Sequence, residues 1–215
     1  MFTLSKFKKA FGVHVTTNHN DKMAGVSSLS TSPLCNGLCK ARTQVDGMIC
    51  AHCYSMTMQK RFKGLQEALK KNADILTTYI FEPDEMPRLF SETGYFRFEA
   101  FGDLINEIQV VNYFNMARYN PQMKCALWTK NPWIIASAIR KYGIEKPANL
   151  TIIGSSYYVN KPMTYEAFPF IDKVFTVYDK AHAANVDINC GGRSCAECGR
   201  CYENYGGRVV SELLK

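Results

Sequence analysis

The chain has 215 residues, 47% of them hydrophobic and 21% charged, enough apolar material for a full core without cross-links. Its formal net charge of +7 is scattered in short groups such as Lys60-Arg61, Lys70-Lys71 and Arg140-Lys141, which favours a solvated basic surface over a nucleic-acid patch. No apolar run approaches the ~18 residues of a membrane span, and none follows Lys6, Lys8 and Lys9 as in a secretory leader. The expected setting is a reducing cytoplasm with no membrane partner.

In chain order, Val13 to Thr17 and Met23 to Leu29 are β-prone, and Thr31-Ser32-Pro33 ends the second stretch just before Cys35. Ala51 to Thr77 holds good helix formers, with Leu65, Ala68, Leu69, Asn72 and Leu76 approximating one face and an interruption at Gly64. Pro83 and Pro87 mark a connection. Tyr95 to Phe101 reads as a strand closed by Gly102, followed by a helix with Asp103 as its N-cap. A strand at Lys124 to Thr129, a break at Asn131-Pro132 and a helix to Tyr142 come next. Leu150 to Gly154 is a further strand, and Lys173 to Tyr178 is predicted as the last one, before a short helix at Lys180 to Ala184.

Four or five β–α units in alternation predict an α/β fold with a largely parallel sheet and right-handed crossovers. No glycine-rich fingerprint follows the first strand, which argues against a dinucleotide fold. A full barrel takes ~250 residues, so the length suits a partial, open β/α barrel over residues 1–189, with the cysteine-rich segment 190–215 packed on the same domain. Sites in such folds form where loops leave the carboxyl ends of strands, and both cysteine groups are expected at that one mouth.

Eight of the nine cysteines fall in two groups. Cys35, Cys39, Cys50 and Cys53 are spaced x3, x10 and x2; Cys190, Cys195, Cys198 and Cys201 are spaced x4, x2 and x2. Cys125 lies in an apolar strand and reads as a buried core thiol. Clustered thiols in a reducing compartment point to metal rather than disulfides. Thiolates are soft ligands for zinc or iron–sulfur clusters. Either group could close a tetrahedral zinc site. The crowded C-terminal run, with Gly191, Gly192 and Gly199 supplying backbone freedom, favours iron–sulfur ligation.

Cys50-Ala51-His52-Cys53 resembles the end of the radical S-adenosylmethionine (SAM) cluster motif, C-x3-C-x-Φ-C, with His52 at the usually aromatic position. The preceding cysteine is not four residues back, so this is an expanded-spacer variant in which spacing alone does not choose between Cys35 and Cys39. The wider pattern resembles phage-encoded, radical-SAM-like iron–sulfur proteins. It comprises Cys53-Tyr54, Gly102-Asp103 after a central strand, Thr129-Lys130-Asn131-Pro132, and a closing C-x2-C-x2-C-aromatic segment from Cys195 to Tyr202. The resemblance implies a 4Fe-4S cluster on three cysteines, SAM bound at the open iron, and a second cluster on the C-terminal four. It also implies acidic contacts to the SAM amino group from Glu99 and Asp103. His52, Tyr54 and Ser155 are further cofactor-binding candidates, and Lys130 is a candidate for a carboxylate or phosphate contact. Plainer readings stand beside these: Asp103 as a helix cap, Glu99 and Lys130 as solvated residues, Ser155 as part of a polar turn.

The function expected is therefore an iron–sulfur protein with two clusters that cleaves SAM to modify an unidentified substrate, served by an electron donor in the host cytoplasm. Two alternatives remain at this stage: a non-enzymatic electron-transfer or sensor protein, and a two-zinc module that binds nucleic acid.

Overall fold

The computed structural model describes residues 1–214. They form one seven-stranded sheet whose strands lie side by side in chain order. The strands are β1 (Val15–Thr17), β2 (Ser27–Leu29), β3 (Tyr95–Phe98), β4 (Lys124–Thr129), β5 (Leu150–Ser155), β6 (Lys173–Tyr178) and β7 (Val209–Leu213). β1 runs antiparallel to β2, and every later pair is parallel. β1 and β7 do not pair, so the sheet is open.

The helices are α1 (Leu4–Phe11), α2 (Gly37–Arg42), α3 (Tyr54–Arg61), α4 (Lys63–Leu76), α5 (Glu107–Arg118), α6 (Pro132–Tyr142) and two single turns, α7 (Lys180–Ala183) and α8 (Cys195–Cys198). Each long crossover helix buries a stripe on one face of the sheet. Leu76 of α4, Val110, Tyr113 and Phe114 of α5, and Ile135 and Ala138 of α6 pack on Phe96, Phe98, Leu127 and Ile152. Each of these large side chains contributes roughly 1.5–3 kcal/mol of burial. Cys125 belongs to this core at 0% exposure, and burial pushes its thiol up to about 12, as suits an unreactive core thiol.

The alternate strand residues face the other way. Ala126 and Ile153 form a second apolar layer with Val26, Tyr95, Trp128 and Phe175, and its cover is Tyr202, Cys195 and Cys201. The C-terminal cysteine segment therefore packs on the helix-free face.

Several sequence expectations are corrected. β6 is not the last strand: after the cysteine segment the chain returns as β7, with Val174 opposite Val209 and Tyr178 opposite Leu213. Asp103 does not cap α5. That helix starts at Glu107, and Asn106 caps it by accepting the Gln109 N–H at 3.1 Å. α3 and α4 part at Phe62, whose extended backbone breaks the helix, rather than at Gly64. Met23 lies in a 3-10 turn before β2, not in the strand. No helix among the described residues is long and apolar enough to cross a membrane.

Candidate metal centre

The first cysteine group is built on the loops that leave β2, β3 and β4. Asn36 sets its position. Its Oδ1 accepts from Leu38 N at 3.0 Å and Cys39 N at 3.3 Å, capping α2, while its Nδ2 donates to the carbonyls of Asp103 and Leu104 at 3.2 and 3.0 Å. Cys39 is thus fixed in the first turn of α2, beside the loop after β3. Downstream, Ile49 N donates to Tyr157 O at 2.8 Å, which lays the Cys50–Cys53 turn across the end of β5.

Cys50 and Cys53 lie close enough to raise the pKa of the Cys39 thiol, and Cys53 raises that of Cys50. Burial is the largest effect on Cys39 and Cys50, followed at Cys39 by Asp103 and Cys50; Lys130 and Arg42 oppose it at Cys50. Cys35 is exposed at the preceding turn, whereas Cys39, Cys50 and Cys53 are half-buried.

Two motifs that are distant in sequence meet beside the trio. Asp103 accepts from Thr129 Oγ1 at 2.7 Å and from Lys130 N at 3.0 Å, so Gly102-Asp103 and Thr129-Lys130 form one clasp. Asn131 extends it: its Nδ2 donates to Leu104 O at 2.8 Å, and its Oδ1 accepts from Arg42 at 2.7 Å. Lys130 Nζ donates to Ser155 Oγ at 2.9 Å. Arg42 lies 3.8 Å from Asp103 and against the Tyr157 and Trp133 rings, and its buried Nη1 has no hydrogen-bond partner. Arg42 was not foreseen in the sequence, where it is one basic residue among many.

Tyr54 donates its hydroxyl to Ala100 O, and its ring is 60% accessible. Desolvation still raises the hydroxyl's pKa more than any other influence. The side chain is thus exposed while its hydroxyl is tied to the loop after β3. His52 is exposed at the end of its 3-10 turn.

Glu99 lies one layer back from the cysteines. It is 2% exposed and accepts from Thr31 N, Thr31 Oγ1, Gln109 Nε2 and Tyr113 OH. Its backbone is left-handed (φ 57°), a conformation that costs a non-glycine residue on the order of 1 kcal/mol. This bend lets Ala100 N reach Ser30 Oγ at 2.9 Å. Gly102 must stay small, because a Cβ there would meet Glu99 Oε2 and Thr31 O at 2.5 Å. Glu99 thereby ties the loop after β2, the loop after β3 and α5 together.

The second group is held differently. Ser194 and Glu197 form a capping box that starts α8 at Cys195. Gly199, at φ 59°, turns the chain where a Cβ would strike Tyr205 and Tyr95. Tyr202 then stacks on Tyr95 with centroids 4.6 Å apart. Lys124 Nζ reaches Glu203 at 2.6 Å, and Lys173 Nζ reaches Tyr205 O at 2.7 Å. Tyr95, Lys124 and Lys173 are the first residues of β3, β4 and β6, so this segment covers the amino-terminal halves of those strands. The two groups are placed differently: the first lies at the carboxyl ends of the strands, whereas the second runs over the helix-free face from Cys190, beside Glu212 near the carboxyl end of β7, to Tyr202–Tyr205 over the amino ends of β3, β4 and β6. The return strand β7, which the sequence did not suggest, places it there.

Cys190, Cys195, Cys198 and Cys201 influence one another electrostatically, and burial followed by Cys190 pushes Cys201 up to about 12. Lys22 Nζ donates to Cys190 Sγ at 3.0 Å and to Glu212 at 2.6 Å. An open cavity of about 640 Å3 lies beside Cys190, with Lys22, Arg193 and Glu212 on its wall. Among the described residues, no group of three or more His, Cys, Asp or Glu side chains is placed to hold a metal ion.

The model of the family described as gene product 88 (GP88) matches residues 11–204, a span that takes in both cysteine groups and the clasp between them. The chain belongs to the gene product 88 family. This fits the expectation of a phage-type protein. No curated protein and no solved structure matches this GP88 chain.

Proposed function

We propose that this GP88 protein is a two-cluster iron–sulfur protein that acts on SAM in the manner of radical-SAM enzymes, on a partial β/α barrel. The observation that carries the reading is the trio itself. Cys39, Cys50 and Cys53 are half-buried near Lys130, Arg42 and Asp103 on loops at the carboxyl ends of the strands, and Cys35 is the exposed member of the group. Three soft ligands leave one iron of a 4Fe-4S cluster open, whereas four would close it. Strand order that follows the chain, with α4, α5 and α6 on one face, suits a partly wound barrel.

The donor set fits such a group at both places. Arg42 Nη1 beside the trio, and Arg97 Nε and Tyr202 OH beside the C-terminal four, are buried polar atoms without partners among the described residues. A bound 4Fe-4S centre with an open iron supplies reductive cleavage of SAM.

The chain's own residues arrange that setting. Lys130 and Arg42 hold positive charge beside the trio, positioned through Asp103, where a carboxylate-bearing ligand would be met. Ser155 anchors the Lys130 ammonium. Asp103 and Glu99 already spend their oxygens on the protein, so we assign them to positioning rather than to contact with SAM. The C-terminal four would hold the auxiliary cluster, fed by an electron donor of the host cytoplasm.

The test is anaerobic purification followed by iron and sulfide analysis, then incubation with SAM and dithionite. Brown protein with roughly four to eight irons per chain, and 5′-deoxyadenosine as product, are expected. Colourless protein that holds zinc would overturn the reading, and iron-loaded protein that leaves SAM intact would reduce it to electron transfer.

A further inference from the structure

Arg97 sits in the middle of β3, in register with Ser28 of β2 and Ala126 of β4, so its side chain stands on the helix-free face. There its guanidinium lies 3.8 Å over the Trp128 ring, Nη1 is 3.6 Å from Met23 Sδ, and Nε is buried without a partner. Among the described residues it forms no ion pair with a carboxylate. The layer around it is apolar and aromatic, and it contains Cys195 and Cys201.

A guanidinium in such a layer, with no anion to match it, carries a desolvation cost that a structure ordinarily offsets with a negative partner. The stacking on Trp128 returns part of it. The remaining candidates for a negative charge are Cys195 and Cys201, which pack on the same layer as Trp128 and Ala126. Lys22 meets the same group from its other edge, 3.0 Å from Cys190 Sγ. Lys22 is already matched by Glu212, whereas Arg97 has no carboxylate of its own.

We infer that Arg97 is the counter-ion of the C-terminal four-cysteine centre and sets its reduction potential. This rests on the reading that those cysteines hold an iron–sulfur cluster. Four thiolates outweigh the positive charge of a cluster core, and one-electron reduction adds a further negative charge. A fixed cation in low-dielectric surroundings stabilises the reduced form more than the oxidised one, so its presence raises the potential. Removing it is expected to lower the equilibrium constant for reduction on the order of tenfold, which for a one-electron couple is about 59 mV.

The experiment is a dithionite-mediated redox titration read by electron paramagnetic resonance on full-length, anaerobically purified protein. It uses a Cys50→Ala/Cys53→Ala background, so that the C-terminal group supplies the signal. Arg97→Gln should shift the midpoint downward by about that amount, and Arg97→Lys, which keeps the charge, should stay near the parent. If Arg97→Lys loads iron and Arg97→Gln does not, the requirement for charge is met in a stronger form. Equal midpoints for both variants and the parent would overturn the counter-ion role while leaving the cluster intact. Equal loss of iron from both variants would also overturn it, making Arg97 a packing residue. Absence of iron from the parent background would instead sink the cluster reading on which the inference stands.

Discussion

Glu99 gives a quantitative test of how the loops around the cysteine trio are held. Burial, opposed in part by hydrogen bonds from Tyr113 and Thr31, raises its pKa from the ordinary 4.5 to about 7. In the unfolded chain the carboxyl ionises near its ordinary value. Between the two values the folded protein binds more protons than the unfolded one, so stability falls as pH rises through this window. The contribution is complete below about pH 4.5 and lost above about pH 7. A gap of roughly 2.5 pH units corresponds to about 3 kcal/mol. Glu99→Gln, which mimics the protonated form, should remove this slope. Urea denaturation of parent and variant at pH 5.0 and 7.5 measures it. The parent should lose about 2.4 kcal/mol more than the variant over that interval. Parallel pH dependences for the two proteins would refute the claim that Glu99 is a buried, neutral-leaning clasp.

Three further outcomes follow from the same loops. Gly102→Ala should destabilise the fold by about 1–3 kcal/mol, because its Cβ would press on Thr31 and Glu99; a thermal melt like the parent's would contradict the close approach. Thr129→Val removes the hydroxyl that Asp103 accepts, and should cost about 1–2 kcal/mol in chemical denaturation; Thr129→Ser should restore most of it. Tyr202→Phe removes a buried hydroxyl with no partner among the described residues, so the metal-free protein should keep its stability within about 0.5 kcal/mol in the same assay.

The alternation of strands and helices was legible because each strand carries its own apolar alternation and each crossover helix its own stripe. Phe96 and Phe98 against Phe114 show both patterns at once. β7 was not legible. Val209 to Leu213 follows Gly206-Gly207 and mixes Ser211 and Glu212 into a short run, which reads as a tail until β6 pairs with it. Asp103 looked like a helix cap because it follows a strand and precedes a helical pattern. Its oxygens instead meet Thr129 and Lys130, a partnership 26 residues apart that no local pattern announces. Arg97 carried no signal of its own in the sequence, and it is half-buried because the C-terminal cysteine segment packs on that face. The choice between Cys35 and Cys39 could not be read from spacing; in the fold Cys35 is exposed, and Asn36 caps α2 at Cys39.

That choice is also where the account is most directly open to measurement. Iron and sulfide should be quantified in anaerobically purified Cys35→Ala and Cys39→Ala proteins, each in a background lacking Cys195 and Cys198 so that the first group alone supplies the metal. The Cys35 variant should retain its iron and its absorption near 400 nm, and the Cys39 variant should lose both. Loss of iron from the Cys35 variant as well, or its retention by the Cys39 variant, would contradict a three-cysteine centre with an open position.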